Sequence, residues 1–294
     1  INHINTIFKL DKNFLAGIMN GEVHVSDLYN KPQLETELSI SSFRVYGDTI
    51  GNMSIRSSYN SEKNVVSSSV NAIRGTAKII DIKGDYFLSK ETDNIDYVIR
   101  LDNLYIHPIE KYIEGILKDV YGKVSANLEL KGTFSKPLFN GSIDLNKVSL
   151  LIDYLQTHYS FTSSVKVKDN IILINDLTLV DDNNSEAVLN GKVTHNYFSD
   201  FRFDVRMNAD RFQILNTTAK DNSLYYGVAN GSGYAEFYGP IENMNMDISL
   251  SPARGTVVNI PLNTASDLSR SDYITFIDKS KDSTARAISA NKVD

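Results

Sequence analysis

Polar and apolar residues alternate along most of this chain. Val23 and Val25 alternate with Glu22, His24 and Ser26, and Leu128 and Leu130 with Asn127, Glu129 and Lys131. Phe201, Phe203, Val205 and Met207 alternate with Arg202, Asp204 and Arg206, and Met244, Met246, Ile248 and Leu250 with Asn245, Asp247 and Ser249. A period of two puts apolar side chains on one side of a strand and polar ones on the other, the mark of a half-buried antiparallel strand. Turn-forming clusters at 89–94, 168–170 and 181–184 punctuate the runs, at the roughly 8–12 residues per strand of an all-β chain. One segment has another period. Ile109, Tyr112, Ile113, Ile116, Leu117 and Val120 follow the i, i+3, i+4, i+7 spacing of a helical stripe, with Pro108 suited to its first turn and Gly122 to its exit. A short amphipathic helix over 108–120, packed on the sheet, is the expectation.

Fragments of the sequence recur. Gly17 and Pro32 are repeated as Gly122 and Pro137, both 105 residues later, and Gly227 lies 105 beyond Gly122. A repeat of this length is too long for one solenoid coil and suits a module of several strands. The division expected is 1–118 as a first unit ending with the helix, 119–223 as a second, and 224–294 as a third, truncated one.

Composition narrows the function. At 294 residues the chain holds about two domains or one elongated β domain, and 41% hydrophobic with 22% charged residues is a globular balance. A net charge of −6 argues against nucleic acid and against a basic grip on anionic lipid. With no cysteine, disulfides and Cys-ligated metals are excluded. No run approaches the ~18 apolar residues of a membrane-spanning helix, and no signal peptide is visible at the start. The chain begins at Ile1 in strand-like sequence and is expected to be a fragment of a longer protein. His3, His24, His107, His158 and His195 are scattered singly. Gly231-Ser-Gly233 lacks a third glycine and precedes a strand pattern, unlike a dinucleotide loop. Asp181, Asn183 and Ser185 imitate the start of a calcium loop, but Glu186 and Lys192 stand where Gly and Glu belong. No catalytic residue, cofactor site or metal site is expected, and the chain is read as not an enzyme.

Three stretches share one grammar of glycine, alternating strand, turn and proline. They are Gly122–Gly132 followed by Pro137 and Gly141–Leu145; Gly191–His195 ahead of Phe201–Met207; and Asp221–Gly227, Gly231–Pro240 and Gly255–Leu262. In this order they resemble the C-terminal region of the TamB family, within the AsmA-like, bridge-like lipid-transfer proteins. The resemblance is strongest over 119–262. It implies a long sheet folded lengthwise into a half-pipe, the β-taco, with an apolar groove. It also implies a periplasmic place in a Gram-negative envelope, an inner-membrane anchor outside this sequence, phospholipids as cargo, and an outer-membrane barrel of the Omp85 type (TamA-like) as partner.

Physical reasoning reaches part of this alone. A sheet of many alternating strands curls because strands twist, and left open along one seam it is a trough with an apolar lining. Such a lining binds acyl chains at about 0.8 kcal/mol per buried methylene, with little discrimination between lipids. The candidate lining is Val23, Val25, Leu128, Leu130, Ile143, Leu145, Ile171, Leu173, Leu177, Leu179, Phe201, Phe203, Val205, Met207, Phe237, Met244, Met246, Ile248 and Leu250. The same residues would equally suit a closed core, since alternation does not tell the two apart. Ile171–Ile174 is apolar at every position, which leaves its phase open. Two readings follow: a non-enzymatic lipid conduit between the membranes, and a periplasmic scaffold whose strand edge docks a barrel by β-augmentation. A polysaccharide-degrading solenoid would need clustered carboxylates beside aromatics. The charges here are scattered.

Overall fold

A computed structural model describes residues 14–27, 29–113, 115 and 117–261. They form one antiparallel sheet. Its strands are β1 (Leu15–Ser26), β2 (Gln33–Val45), β3 (Asp48–Asn60), β4 (Val65–Arg74), β5 (Ala77–Phe87), β6 (Ile95–Tyr105), β7 (Leu117–Thr133) and β8 (Lys136–Ile152). They continue as β9 (Thr157–Asp169), β10 (Ile171–Asp181), β11 (Glu186–Asn196), β12 (Ser199–Thr217), β13 (Tyr226–Pro240), β14 (Asn245–Pro252) and β15 (Val257–Asn259). Each strand from β1 to β14 pairs with the next in sequence, and β15 pairs with β13 beyond the end of β14. The sheet is a meander that does not close into a barrel. The chain divides into Ile1–Asn259 and Ile260–Asp294, and this sheet lies in the first unit.

Tight turns make the meander local. Tyr46 and Gly47 join β2 to β3 with φ of 47° and 88°, the mirror-image two-residue turn whose twist suits a hairpin. Tyr197 and Phe198 make the same kind of turn between β11 and β12 without a glycine, at φ 50° and 67°. The Phe198 N–H donates to His195 Nδ1 at 3.1 Å and its ring stacks on the imidazole at 4.9 Å, which holds a backbone that non-glycine residues rarely adopt.

A second local device recurs across the sheet. In β2, β6, β8, β10 and β12, two residues face one on the following strand, a β-bulge. The second residue of each pair is left-handed: Ser42 (φ 52°), Asn103 (50°), Lys147 (49°), Asp176 (48°) and Arg211 (50°). Its N–H would be stranded between ladder bonds. In each case the facing residue supplies a side-chain oxygen: Asn52 Oδ1 at 3.1 Å, Ser125 Oγ at 3.0 Å, Thr162 Oγ1 at 3.0 Å, Asn190 Oδ1 at 2.8 Å and Ser232 Oγ at 2.8 Å. The extra residue shifts the alternation, so the apolar positions run Leu38, Ile40, then Phe43, and Ile172, Ile174, then Leu177.

The apolar side chains gather in three clusters on one face. The first centres on Ile40, Phe43, Ile50, Ala72 and Ile79, the second on Ala126, Leu128 and Val167, and the third on Tyr159, Ala187 and Phe212. The sheet curls onto this face at the third. Although β10 and β11 separate β9 from β12, Tyr159 stacks on Phe212 at 4.7 Å, the Tyr159 hydroxyl donates to the Gln213 carbonyl at 2.8 Å, and the Asn216 N–H donates to the Leu155 carbonyl at 2.9 Å. Asp181 Oδ2 accepts the Gln213 N–H at 2.7 Å, while its Oδ1 accepts the N–H groups of Asn183 and Ser185, each at 2.8 Å, so the calcium-like sequence is a capped turn.

The expected helix is corrected. Only a 3-10 turn, His107–Ile113, follows Pro108's start, and β7 begins at Leu117. Val120 is a buried strand residue whose N–H donates to Glu110 Oε2 at 3.2 Å. A helix reaching 120 would have cost the ladder bonds that join Leu117 and Lys118 to Ile152 and Leu151. Of the division expected from the repeats, the boundary at 118/119 falls inside β7 and that at 223/224 between β12 and β13.

Candidate functional site: apolar lanes across the sheet

Residues directly opposite one another in an antiparallel ladder share a face. Following the pairs from strand to strand traces a lane perpendicular to the strands. It runs Gly21, Leu38, Ile55, Val70, Ile82, Ile99, Leu128, Gly141, Val167, Ile172, Val193, Phe203, Gly239, one residue from each strand from β1 to β13. Every position is apolar or glycine. At the usual 4.8 Å between strands its contour is about 58 Å long. A second lane lies two residues further along the strands: Met19, Ile40, Met53, Ala72, Ile80, Leu101, Ala126, Ile143 and Val165. After a register shift between β9 and β10 it resumes as Ile174, Gly191, Val205, Phe237 and Met246. Further lanes join Leu177, Leu189, Met207, Ala235 and Ile248, then Leu179, Ala187, Ala209, Gly233 and Leu250.

The glycines belong to this pattern. At Gly141, between Leu128 and Val167, φ is 147° and an added Cβ would lie 2.1 Å from the Asn127 carbonyl oxygen. Only glycine lets the backbone coil so tightly there, and it leaves Leu128 and Val167 to meet over it in one cluster.

The opposite face is polar. Glu22, Glu37, Arg56, Ser69, Lys83, Val98, Glu129, Asn140 and Lys168 form the lane adjoining the first on that side. Its ion pairs, such as Arg56 Nη2–Glu37 Oε1 at 2.7 Å and Arg206 Nη1–Glu236 Oε1 at 2.6 Å, are exposed and contribute little stability. A cleft of about 650 Å³ is lined mainly from this side, by Glu35, Arg56, Ser67, Lys83, Asp85 and Asp96, and also by Thr36, Ser57, Ser68 and Gly84.

Most of the candidate lining lies on the apolar face. Leu128, Phe203, Val205, Phe237, Ile143, Leu177, Leu179, Met207, Met246, Ile248 and Leu250 occupy the lanes above. Leu145 pairs with Val124; Leu130 pairs with Tyr97 and Phe139; Val23 and Val25 pair with Thr36 and Leu34; Phe201 lies beside His195 at 5.5 Å. Met244 precedes β14 and has no ladder partner. Ile171 and Leu173 go to the other face, opposite Lys168 and Lys166, and the apolar-face members of that run are Ile172 and Ile174. The bulge at Asp176 explains the misplacement: counting back by twos from Leu177 and Leu179 crosses it and inverts the phase. Ile55, Val70, Ile82, Ile99 and Val193 are lane residues not singled out from sequence. The alternation of Ile80, Ile82 with Asp81, Lys83 and of Ile99, Leu101 with Arg100, Asp102 was the signal for two of these strands.

The apolar face is not uniform. Beside the first lane stands a row of Thr36, Ser57, Ser68 and Gly84, ended by Tyr97, whose hydroxyl reaches Ser68 Oγ at 3.5 Å. Two groups on this face have shifted proton affinities. Burial pushes the Tyr159 hydroxyl up to about 12, so it remains a donor, and burial pushes His195 below its ordinary value, so its Nδ1 remains an acceptor. Among the described residues no group of three or more His, Asp or Glu is arranged to hold a metal, and no helix is long and apolar enough to cross a membrane.

Comparison with known proteins adds one match. Residues 175–293 match the family model of the TamB C-terminal domain. No curated protein and no solved structure matches the chain.

Proposed function

With residues 175–293 TamB-like, we propose that this chain is a segment of a non-enzymatic lipid conduit, in which phospholipid acyl chains lie along the apolar lanes between the two membranes of a Gram-negative envelope. The carrying observation is the first lane, thirteen strands wide without one polar side chain. A globular domain needs such a surface only as deep as its core, whereas a lane crossing nearly every strand suits a chain-like apolar ligand that moves past one strand after another. Dispersion and methylene burial, at about 0.8 kcal/mol per methylene, would hold an acyl chain with no fixed register, which is what sliding requires. The half-buried hydroxyls of Thr36, Ser57 and Ser68 fit the same reading. In a sealed core they would each cost about 1–3 kcal/mol if unpaired, but at the edge of an open groove they meet water or a polar head group.

A second reading rests on a different observation. Among the described residues β14 pairs only with β13, so its outer edge offers the backbone groups by which an Omp85-type barrel could add a strand. The two roles are compatible on one molecule. Periplasmic location and an anchor in the inner membrane belong to this proposal.

The test is a lipid inventory. The protein is purified without detergent, extracted with organic solvent, and the extract identified by mass spectrometry. Phospholipid at or above one molecule per chain is the expected result. A folded monomer that carries no lipid would sink the conduit and leave the scaffold.

A further inference from the structure

The chain has five methionines, and their places on the sheet are unequal. The second apolar lane begins at Met19 in β1 and ends at Met246 in β14. Met19 is 40% exposed and Met246 57%, and Met244, just before β14, is 38% exposed. Met53 and Met207 lie inside the sheet, packed against the first and third clusters. A thioether is among the few apolar groups that mild oxidants convert into a polar one, and exposure sets its rate.

We propose that Met19, Met244 and Met246 are sites of reversible oxidation that control passage over the first and last described strands of the apolar face. Hydrogen peroxide is the oxidant. Its O–O bond breaks, one oxygen atom bonds to the thioether sulfur, the sulfur loses two electrons, and the other oxygen leaves as water. A strong dipole then stands in the lane, and an acyl chain passing it must give up contact or desolvate the sulfoxide. Reduction by methionine sulfoxide reductases restores the thioether. The assignment of the sites rests on exposure, and for Met19 and Met246 also on register; the effect on cargo rests on the conduit reading.

The experiment treats the full chain with hydrogen peroxide and quenches it at intervals. Peptide mapping by mass spectrometry follows the gain of one oxygen at each methionine. Met19, Met244 and Met246 are expected to oxidise at least about tenfold faster than Met53 and Met207. Equal rates at all five overturn the assignment. In parallel, uptake of phosphatidylethanolamine carrying a fluorescent acyl chain is measured before oxidation, after it, and after reductase treatment. Uptake is expected to fall at least about threefold and to recover, while a Met19→Leu, Met244→Leu, Met246→Leu variant, whatever its starting uptake, shows no such fall when compared with its own untreated sample. Unchanged uptake by the oxidised wild type, or an equal loss in the leucine variant, overturns the effect on cargo. A native protein that takes up none of the probe overturns the conduit reading instead, and the peptide map still decides the sites.

Discussion

The middle of the sheet and its two margins carry the same kinds of residue on the same face, yet differ in what covers them. Leu128 and Val167 are 8% exposed and Val205 7%, whereas Val23 is 60% and Ile248 57% exposed. Alternation assigns all five to the apolar side. What differs is the neighbourhood: a central residue has a strand on each flank, while a residue of β1 or β14 has a described neighbour on one flank only. Burial in this fold therefore reports position across the sheet more than residue type. The same side chain is structural in the centre and available for contact at the margin.

Three substitutions sharpen that contrast. The largest effect is expected where the curl is pinned. Phe212 has no exposed surface, and Phe212→Ala should cost about 3–5 kcal/mol, read as a fall in the denaturant midpoint. A loss under 1 kcal/mol would mean that the curl onto β9 does not hold the third cluster together. Tyr159→Phe comes next, at about 1–3 kcal/mol, because it leaves the Gln213 carbonyl without its donor. The same residue carries a pH signature. Its folded value of about 12 lies above the ordinary 10, so its contribution is complete below pH 10 and is lost as pH climbs from 10 towards 12. The wild type should lose more stability across that interval than Tyr159→Phe does, in titrations followed by circular dichroism. The smallest effect on stability is expected at the margin. Ile248→Asp should stay within about 0.5 kcal/mol of wild type while lowering the phospholipid recovered with the protein. If it unfolds the chain, the margin is as structural as the middle.

Much of the fold was legible because its signal is local. Strand alternation in 201–207 and 244–250, and the turn clusters, are properties of neighbouring residues. The helix over 108–120 failed because competition with the ladder of β8 is invisible in a helical spacing of six apolar residues. The phase of Ile171–Ile174 stayed open for a related reason: the Asp176 bulge is fixed by Asn190, a residue on another strand. Glycine gives no sign of which face it serves, so Gly141 and Gly191 were readable as turn or repeat markers but not as members of apolar lanes. The contact of Tyr159 with Phe212 spans two intervening strands, and no pattern within either strand announces it. Of the motifs read as TamB-like, those from Gly191 to Leu262 fall within the matched residues 175–293, and Gly122–Leu145 lie outside them.

The line of bulges at Ser42, Asn103, Lys147, Asp176 and Arg211 bears on how such a chain can change length. In a regular strand, gaining or losing one residue turns everything downstream inside out. Here each of these strands already contains a one-residue surplus, held by a single Asn, Ser or Thr on the next strand. A deletion at that point can be met by dissolving the bulge, and the oily side stays where it was. The line works as an expansion joint, letting strand lengths drift on either side of it while the lanes remain in register.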